Sequence, residues 1–213
     1  MVKRALILVL LATSVCYGTT YYVDGDGGSN GNGGTSAEDA WETLTYAASI
    51  ATSPGDVVNV YSHTYDETLT ITADGTSGNV ITFQAAEGET PIIDGEDTRA
   101  YGIRPVGDYI KIDGFTVIDA ISASVYLQGA NCEILDCILS GCREGVLGIG
   151  SGIVVVGANA DDNLLIGNTI YDHEYVGISI REGADNCTIE DNTIHHCDAE
   201  GIIGERVDGL RFY

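Results

Sequence analysis

Two windows in the second half of the chain concentrate side chains that can bind cations or move protons. The first holds Asp172, His173, Glu174 and Tyr175, followed by Arg181; the second holds His196, Asp198 and Glu200, followed by Glu205 and Arg206. Carboxylates in such numbers can coordinate a divalent cation. A pair of them at a fixed separation can run acid–base chemistry on a glycosidic bond, and arginine or histidine can neutralise charge or carry a proton. The windows are related by position. Arg181 and Glu205 stand 24 residues apart, as do Gly177-Ile178 and Gly201-Ile202. Whatever element repeats with that period must bring the two windows side by side.

The repeat is visible directly. Residues 162–170 (DNLLIGNTI) align with residues 186–194 (NCTIEDNTI); residues 131–139 (NCEILDCIL) form a third copy, and residues 109–117 (YIKIDGFTV) a looser fourth, 22 residues before the third. Each unit carries short runs of period two (Val58 and Val60, Leu69 and Ile71, Ile81 and Phe83, Ile110 and Ile112) separated by Gly, Asp and Asn turns, and no helical pattern. A strand-only unit of this length cannot bury its apolar face alone. Stacked as coils about 4.8 Å apart, such units form an all-β, right-handed parallel β-helix. Asn168 and Asn192 then share a column, preceded there by Cys137 and Phe115. Cys132 with Cys187, and Cys142 with Cys197, fall two coils apart, about 9–10 Å, too far for a disulfide. With an odd five cysteines beyond residue 18, buried free thiols are expected.

Before the coils, Thr35 and Glu38 form a capping-box signature, and Trp41, Leu44, Ala48 and Ala51 follow at helical spacing until Pro54-Gly55. This predicts one helix over residues 37–52 that covers the first coil, whose edge needs covering. Residues 24–34 form a glycine-rich loop whose Asp24, Asp26, Asn30 and Asn32 could meet calcium. Thr35 stands where an EF-hand would place its closing acid, so a plain flexible loop is the expectation. Residues 1–18 read as a secretory signal peptide: Lys3 and Arg4, then an apolar run over residues 5–15 too short to span a bilayer, then Gly18. The organisation is therefore a leader (1–18), a strand, loop and capping helix (19–56), and a β-helix of six or seven coils (57–213), in a secreted or cell-surface monomer.

Lys and Arg number 9 against 32 Asp and Glu, a net charge of −23. No basic surface exists to neutralise nucleic-acid phosphates or dock on an anionic membrane. Neutral glycans, divalent cations, and anionic glycans bridged by a cation remain. Lys111 alternates with Ile110 and Ile112 and reads as a solvent-facing strand residue. His195 and His196 stand at adjacent strand positions, which point to opposite faces and argue against shared metal ligation.

Tyr21-Tyr-Val23, Gly33-Gly-Thr35, Trp41 with Thr43-Leu44, Pro54-Gly-Asp56-Val, Thr64-Tyr65 with Glu67, Ile81-Thr-Phe83, Ile93-Asp-Gly95 and the Asn-Thr-Ile repeats together resemble the secreted right-handed β-helix proteins of the pectate-lyase superfamily. The resemblance spans nearly the whole chain beyond the leader. It implies three sheets, with the Asn column in the turn after the second, Gly-Ile opening the first, and a polysaccharide cleft along the first sheet beside variable turns. On that layout Ser179, Arg181, Ile203, Glu205, Tyr126, Gln128, Val154 and Val156 face outward.

Three functions are then open. In a polysaccharide lyase acting on a uronic-acid polymer, Glu174, Asp198, Glu200 and Glu205 are candidate calcium ligands and Arg181 or Arg206 the base. Tyr126, Gln128, Tyr175 and His196 would contact sugar. In a glycoside hydrolase, Asp198 or Glu200 would pair with Glu205. In a non-catalytic glycan-binding or structural protein, the same acids are a solvated face and Arg181–Glu205 an ion pair worth little. Residues 208–213 begin another turn and stop, so the chain is expected to be a fragment, with catalytic residues beyond Tyr213.

Overall fold

A five-residue spacing shapes each coil. Residues with positive φ stand at Tyr109, Gly114 and Asp119, at Asn131, Asp136 and Gly141, at Asp162, Gly167 and Asp172, and at Asn186, Asp191 and His196. One left-handed residue between two extended segments turns the chain sharply, and Gly, Asn and Asp adopt that conformation at least cost. The short runs between corners are therefore strands. The structure, a computed structural model, describes residues 18–143, 150–205 and 208–212.

The strands stack into three parallel sheets. The first comprises Leu69–Ile71, Tyr101–Pro105, Ala123–Leu127, Ser151–Val156, Ile178–Arg181 and Ile202–Glu205. The second has eight strands, from Thr20–Val23 through Ile110–Asp113, Glu133–Leu135, Leu164–Ile166 and Thr188–Glu190 to Arg211–Phe212. The third runs from Thr64–Tyr65 to Thr169–His173 and Thr193–Cys197. The register joins Lys111 to Glu133, Glu133 to Leu164 and Leu164 to Thr188, so the four aligned segments lie over one another as the repeats require.

Inward positions make continuous aliphatic stacks. Ile112, Ile134, Leu165 and Ile189 fill the second sheet's inner face, and Val117, Leu139 and Ile170 the third's; all are buried. Each such side chain contributes roughly 1.5–3 kcal/mol. The Gly-Ile repeat has a steric cause. A Cβ at Gly177 would lie 2.4 Å from Ile194 Cγ2 and 2.7 Å from the Gly201 carbonyl oxygen, because the chain entering the first sheet passes against the third.

The residue after each corner points inward, and these positions form three columns. One coil supplies Cys132, Cys137 and Cys142, and the next supplies Asn163, Asn168 and His173; all six are buried. The second trio satisfies backbone groups of the first. Asn163 Oδ1 accepts from Cys132 N (2.7 Å), Asn168 Oδ1 from Cys137 N (3.0 Å), and His173 Nδ1 from Cys142 N (3.3 Å). In return Asn168 Nδ2 donates to the Ile134 carbonyl and to Asn192 Oδ1 (both 2.9 Å), the Asn ladder of the repeat. His173 Nε2 lies 3.1 Å from the Leu139 carbonyl, so Nε2 carries the proton and the ring is neutral. Burial pulls its pKa down from 6.5 to about 4. The cysteines beyond the leader are free, as expected, and burial pushes the Cys132, Cys137 and Cys142 thiols up to about 12.

The helix differs from the expected 37–52. Residues Ala37–Asp39 form a single 3-10 turn, and the α-helix is Leu44–Ile50. Trp41 is drawn into strand-like pairing, its N–H on Tyr22 O and its carbonyl on Asp24 N, which forbids a helix through it. Thr43 becomes the cap, its hydroxyl accepting from Tyr46 N, and the Glu67 carboxylate takes the Leu44 and Thr45 amides at 2.8 Å each. The helix packs on Leu69–Ile71 and buries Leu44 and Ala47 at the first coil. The 24–34 loop is held by its own side chains. Asn30 Oδ1 accepts from Glu42 N and Thr43 N, Asn32 Nδ2 donates to Ala40 O, and Asp24 Oδ1 accepts from Asp26 N and Gly27 N. The Asp24 and Asn30 oxygens named are thus spent on backbone amides within and beside the loop. Residues 1–17 of the leader lie outside the described residues, among which no helix is long and apolar enough to cross a membrane.

Two outcomes follow from the corner columns. Asn168→Ala strands the Cys137 amide and the Ile134 carbonyl, so urea unfolding should show a loss of about 2–4 kcal/mol; a loss under 1 kcal/mol would mean that the amides do not close the coils. For His173, an unfolded imidazole takes up its proton near pH 6.5 and the folded one only near 4. The unfolded chain binds more protons in that interval, so stability falls as pH drops through it, by up to roughly 3 kcal/mol from this group, and no further below. His173→Asn, with the amide that serves at the other two corners, should stay folded and lose that component of the pH dependence.

Candidate functional site

Strand alternation sends Ile103, Val125, Ile153, Val155, Ile178 and Ile180 of the first sheet into the core. The intervening residues line two outward columns. Thr70, Arg104, Tyr126, Val154, Ser179 and Ile203 form one; Gln128, Val156, Arg181 and Glu205 form the next. The outward direction expected for these residues holds, but the face is not uniformly open. Val154 is 2% exposed and Ser179 0%, so its middle is covered while Tyr126, Gln128 and Arg181 remain half-buried.

The open part is an aromatic and cationic surface. Tyr101 stacks on Tyr126 with ring centroids 4.3 Å apart and planes 23° apart. Arg104 lies over the Tyr101 ring, 5.9 Å from its centroid, and gives Nε and Nη2 to Gln128 Oε1 at 3.0 and 2.8 Å. Burial pushes the Tyr126 phenol up; Tyr101 and Glu182 add to the shift and Arg104 opposes it. Farther along, Arg181 turns back to Ser179 Oγ and sits 5.9 Å from the Tyr175 ring centroid. Arg181 and Glu205 are register neighbours, yet no ion pair joins them.

Three of the other described basic side chains are ion-paired, while the exposed Arg211 is not. Arg99 pairs with Glu96, Lys111 with Asp113 at 2.9 Å, and Arg143 with Asp97 at 3.2 Å. Lys111 is thus an ion-paired strand residue of the second sheet, as its alternation suggested. Among the described residues neither Arg104 nor Arg181 has a carboxylate partner. Arg104 and Tyr101 escaped the sequence reading, which weighed the two acidic windows. The available signal was the 22-residue offset that lays Arg104 beside Tyr126.

Of the acidic candidates, the structure gathers some and not others. Glu174, His196 and Asp198 line one cavity of about 390 Å³ together with Asp172, His173 and Cys197. Glu200 and Glu205 are exposed and outside its walls, and Arg206 lies outside the described residues. Among the described residues, no three His, Cys, Asp or Glu side chains converge on a metal-sized site. The four carboxylates Glu174, Asp198, Glu200 and Glu205 therefore do not gather into one ligand set. The expectation that His195 and His196 point apart is overturned. His196 has φ 52°, the left-handed corner, which swings its ring back so that the two Nδ1 atoms lie 2.6 Å apart.

Comparison with known proteins bears on this arrangement. The family model for the Pel9A-like right-handed β-helix region matches residues 21–210. Over 121 residues the chain is 33% identical to YwoF, an uncharacterized protein of Bacillus subtilis (strain 168), covering 50% of this chain and 25% of that one. The crystal structure of pectate lyase Pel9A superposes with TM-score 0.62 at 17% identity, over 87% of this chain and 56% of that one. The GH136 lacto-N-biosidase of Eubacterium ramulus gives TM-score 0.73 at 11% identity, over 91% of this chain and 51% of that one. These two share the fold, and the chain spans little more than half of either.

Proposed function

Starting from the fact that this chain belongs to the Pel9A-like right-handed β-helix family, we propose that it acts on a uronate-containing polysaccharide laid along the first sheet, by lyase-type β-elimination. The observation that carries this reading is the pair Arg104 and Arg181. Among the described residues, these two arginines rest on tyrosine rings and neutral hydrogen-bond partners, with no carboxylate paired to either. A guanidinium left without an internal anion, beside an aromatic face, suits a sugar that carries its own carboxylate: the ring stacks, the charge pairs. Arg104 stands on the second strand of the sheet and Arg181 on the fifth, on either side of the covered Val154 and Ser179, so each arginine would take a uronate of its own.

β-Elimination removes the C5 proton of the uronate while the C4–O4 bond breaks, and the departing oxygen takes up a proton. Negative charge building at C5 spreads into the sugar carboxylate, so a cation on that carboxylate favours the step. Arg181 supplies that charge. Glu205, its register neighbour in the same column, is the base in reach of the same sugar. Tyr101 and Tyr126 orient the sugar at the Arg104 end. Calcium enters no step.

The test is retardation of the chain in gels containing polygalacturonate or a neutral glycan, with the ultraviolet absorbance of unsaturated uronate followed in parallel. The acidic polymer should retard the protein and the neutral one should not. Arg104→Ala and Arg181→Ala should each weaken retardation about ten- to a hundredfold, and Arg181→Ala should also abolish any absorbance. Retardation without absorbance would mark a binding protein, and reducing ends released without absorbance a hydrolase. Equal binding of neutral glycan, or binding untouched by both substitutions, would overturn the reading.

A further inference from the structure

We infer that His195 and His196 form a two-nitrogen chelate for a divalent transition metal, copper(II) ahead of zinc(II), at the outer edge of the third sheet. The inference stands apart from the glycan surface on the first sheet.

The two Nδ1 atoms lie 2.6 Å apart, with ring centroids at 4.8 Å and planes at 88°. Two nitrogen lone pairs cannot face each other at that distance, so one ring carries a proton that the other accepts. The two nitrogens meet nearly head to head, so a metal ion shared by the imidazoles replaces that proton as both rings tilt toward one side. With metal–nitrogen bonds of about 2.0–2.1 Å, two nitrogens stand about 2.9 Å apart when cis in a square plane and about 3.3 Å apart in a tetrahedron. The square-planar site needs the smaller opening of this contact. That geometry and the general affinity order both favour copper(II).

The fold holds the pair in place. His196 occupies a corner column whose earlier members are Asp119, Gly141 and Asp172, all with positive φ. The left-handed turn is thus imposed by the coil, and it brings the His196 ring to the side of its predecessor. His195 is fixed from the other side by Tyr171, its register neighbour, with centroids 5.2 Å apart and planes 12° apart. Both histidines are exposed and open to a metal from solution. Asp172 and Asp198 line the cavity of about 390 Å³ that His196 also borders, and their negative charge favours a cation. Since no third described side chain converges with the pair, water completes the coordination. As the metal binds, the proton between the two Nδ1 atoms moves through solvent to Nε2 of the same ring, and both rings coordinate as neutral imidazoles.

The experiment titrates the untagged full chain with copper(II) chloride by calorimetry and records the electron paramagnetic resonance of the one-to-one complex. The chain has 4 histidines, of which His173 is buried and His63 pairs with Asp26 near the first coil. The expected result is one site with coupling to two imidazole nitrogens. It should weaken at least tenfold in His195→Gln and in His196→Asn, an exchange that keeps a residue tolerant of the corner, and stay unchanged in His63→Ala. Zinc(II) should bind the same site more weakly. Copper affinity retained in both variants, or a spectrum without two nitrogen couplings, would sink the inference.

Discussion

The structure depends on closing each coil around a dry interior. Three left-handed corners per coil turn the chain, and every turn directs backbone amides toward an apolar column from which water is excluded. An unpartnered amide there costs about 1–3 kcal/mol, so coils stack only if something inside accepts those protons. In the central coil Asn163, Asn168 and His173 do this at all three corners, reaching back to Cys132, Cys137 and Cys142. The cysteines beneath them are small, apolar and protonated, and leave room for the polar side chains above. The buried asparagines and histidine thus make a structural layer, and that layer accounts for the five-residue spacing of chemically distinctive residues through the second half of the chain.

Parallel register turns the same constraint outward. Because like positions lie over one another about 4.8 Å apart, a residue's neighbours are those one coil away and not those beside it in sequence. Arg104 finds Gln128, and Tyr101 finds Tyr126. In a chain of net charge −23 three described cations, Arg99, Lys111 and Arg143, are quenched by nearby carboxylates. On the first sheet Arg104 and Arg181 instead bond to neutral partners, although Glu205 neighbours Arg181 in its column. That selectivity says more about an anionic ligand than total charge does, since total charge alone would predict repulsion.

The coil architecture was legible because the repeats carry their own register: matching residues 131–139, 162–170 and 186–194 is equivalent to pairing the strands. The Asn ladder and the separation of Cys132 from Cys187 followed from that alignment alone. The helix start was not legible, because the anchor for Leu44 is Glu67, 23 residues away, while Thr35 and Glu38 imitate a local cap. Local propensity lost to a tertiary contact and to the pairing of Trp41 with Tyr22. The site was legible in part. Tyr126, Gln128 and Arg181 emerged from alternation, but Arg104 lies in a coil whose sequence is too divergent to stand out, and the burial of Ser179 and Val154 depends on what lies over them.

The corners also explain why three histidines within 24 residues have such different surroundings. Alternation assigns faces only while the chain stays extended, and one left-handed residue resets the count. Ile170 and His173 both point inward although three positions separate them, because Asp172 lies between. One coil later His196 occupies the Asp172 position itself and its ring is thrown outward against His195, while Cys197 takes the inward place of His173. A shift of one residue relative to the corner thus separates a dehydrated imidazole with both nitrogens committed to backbone from an exposed one whose nitrogen meets a second imidazole. A β-helix can change its surface chemistry at the corner residue without disturbing the inward residue beside it. The corner needs only a side chain that tolerates positive φ, and histidine is among the few functional groups that do.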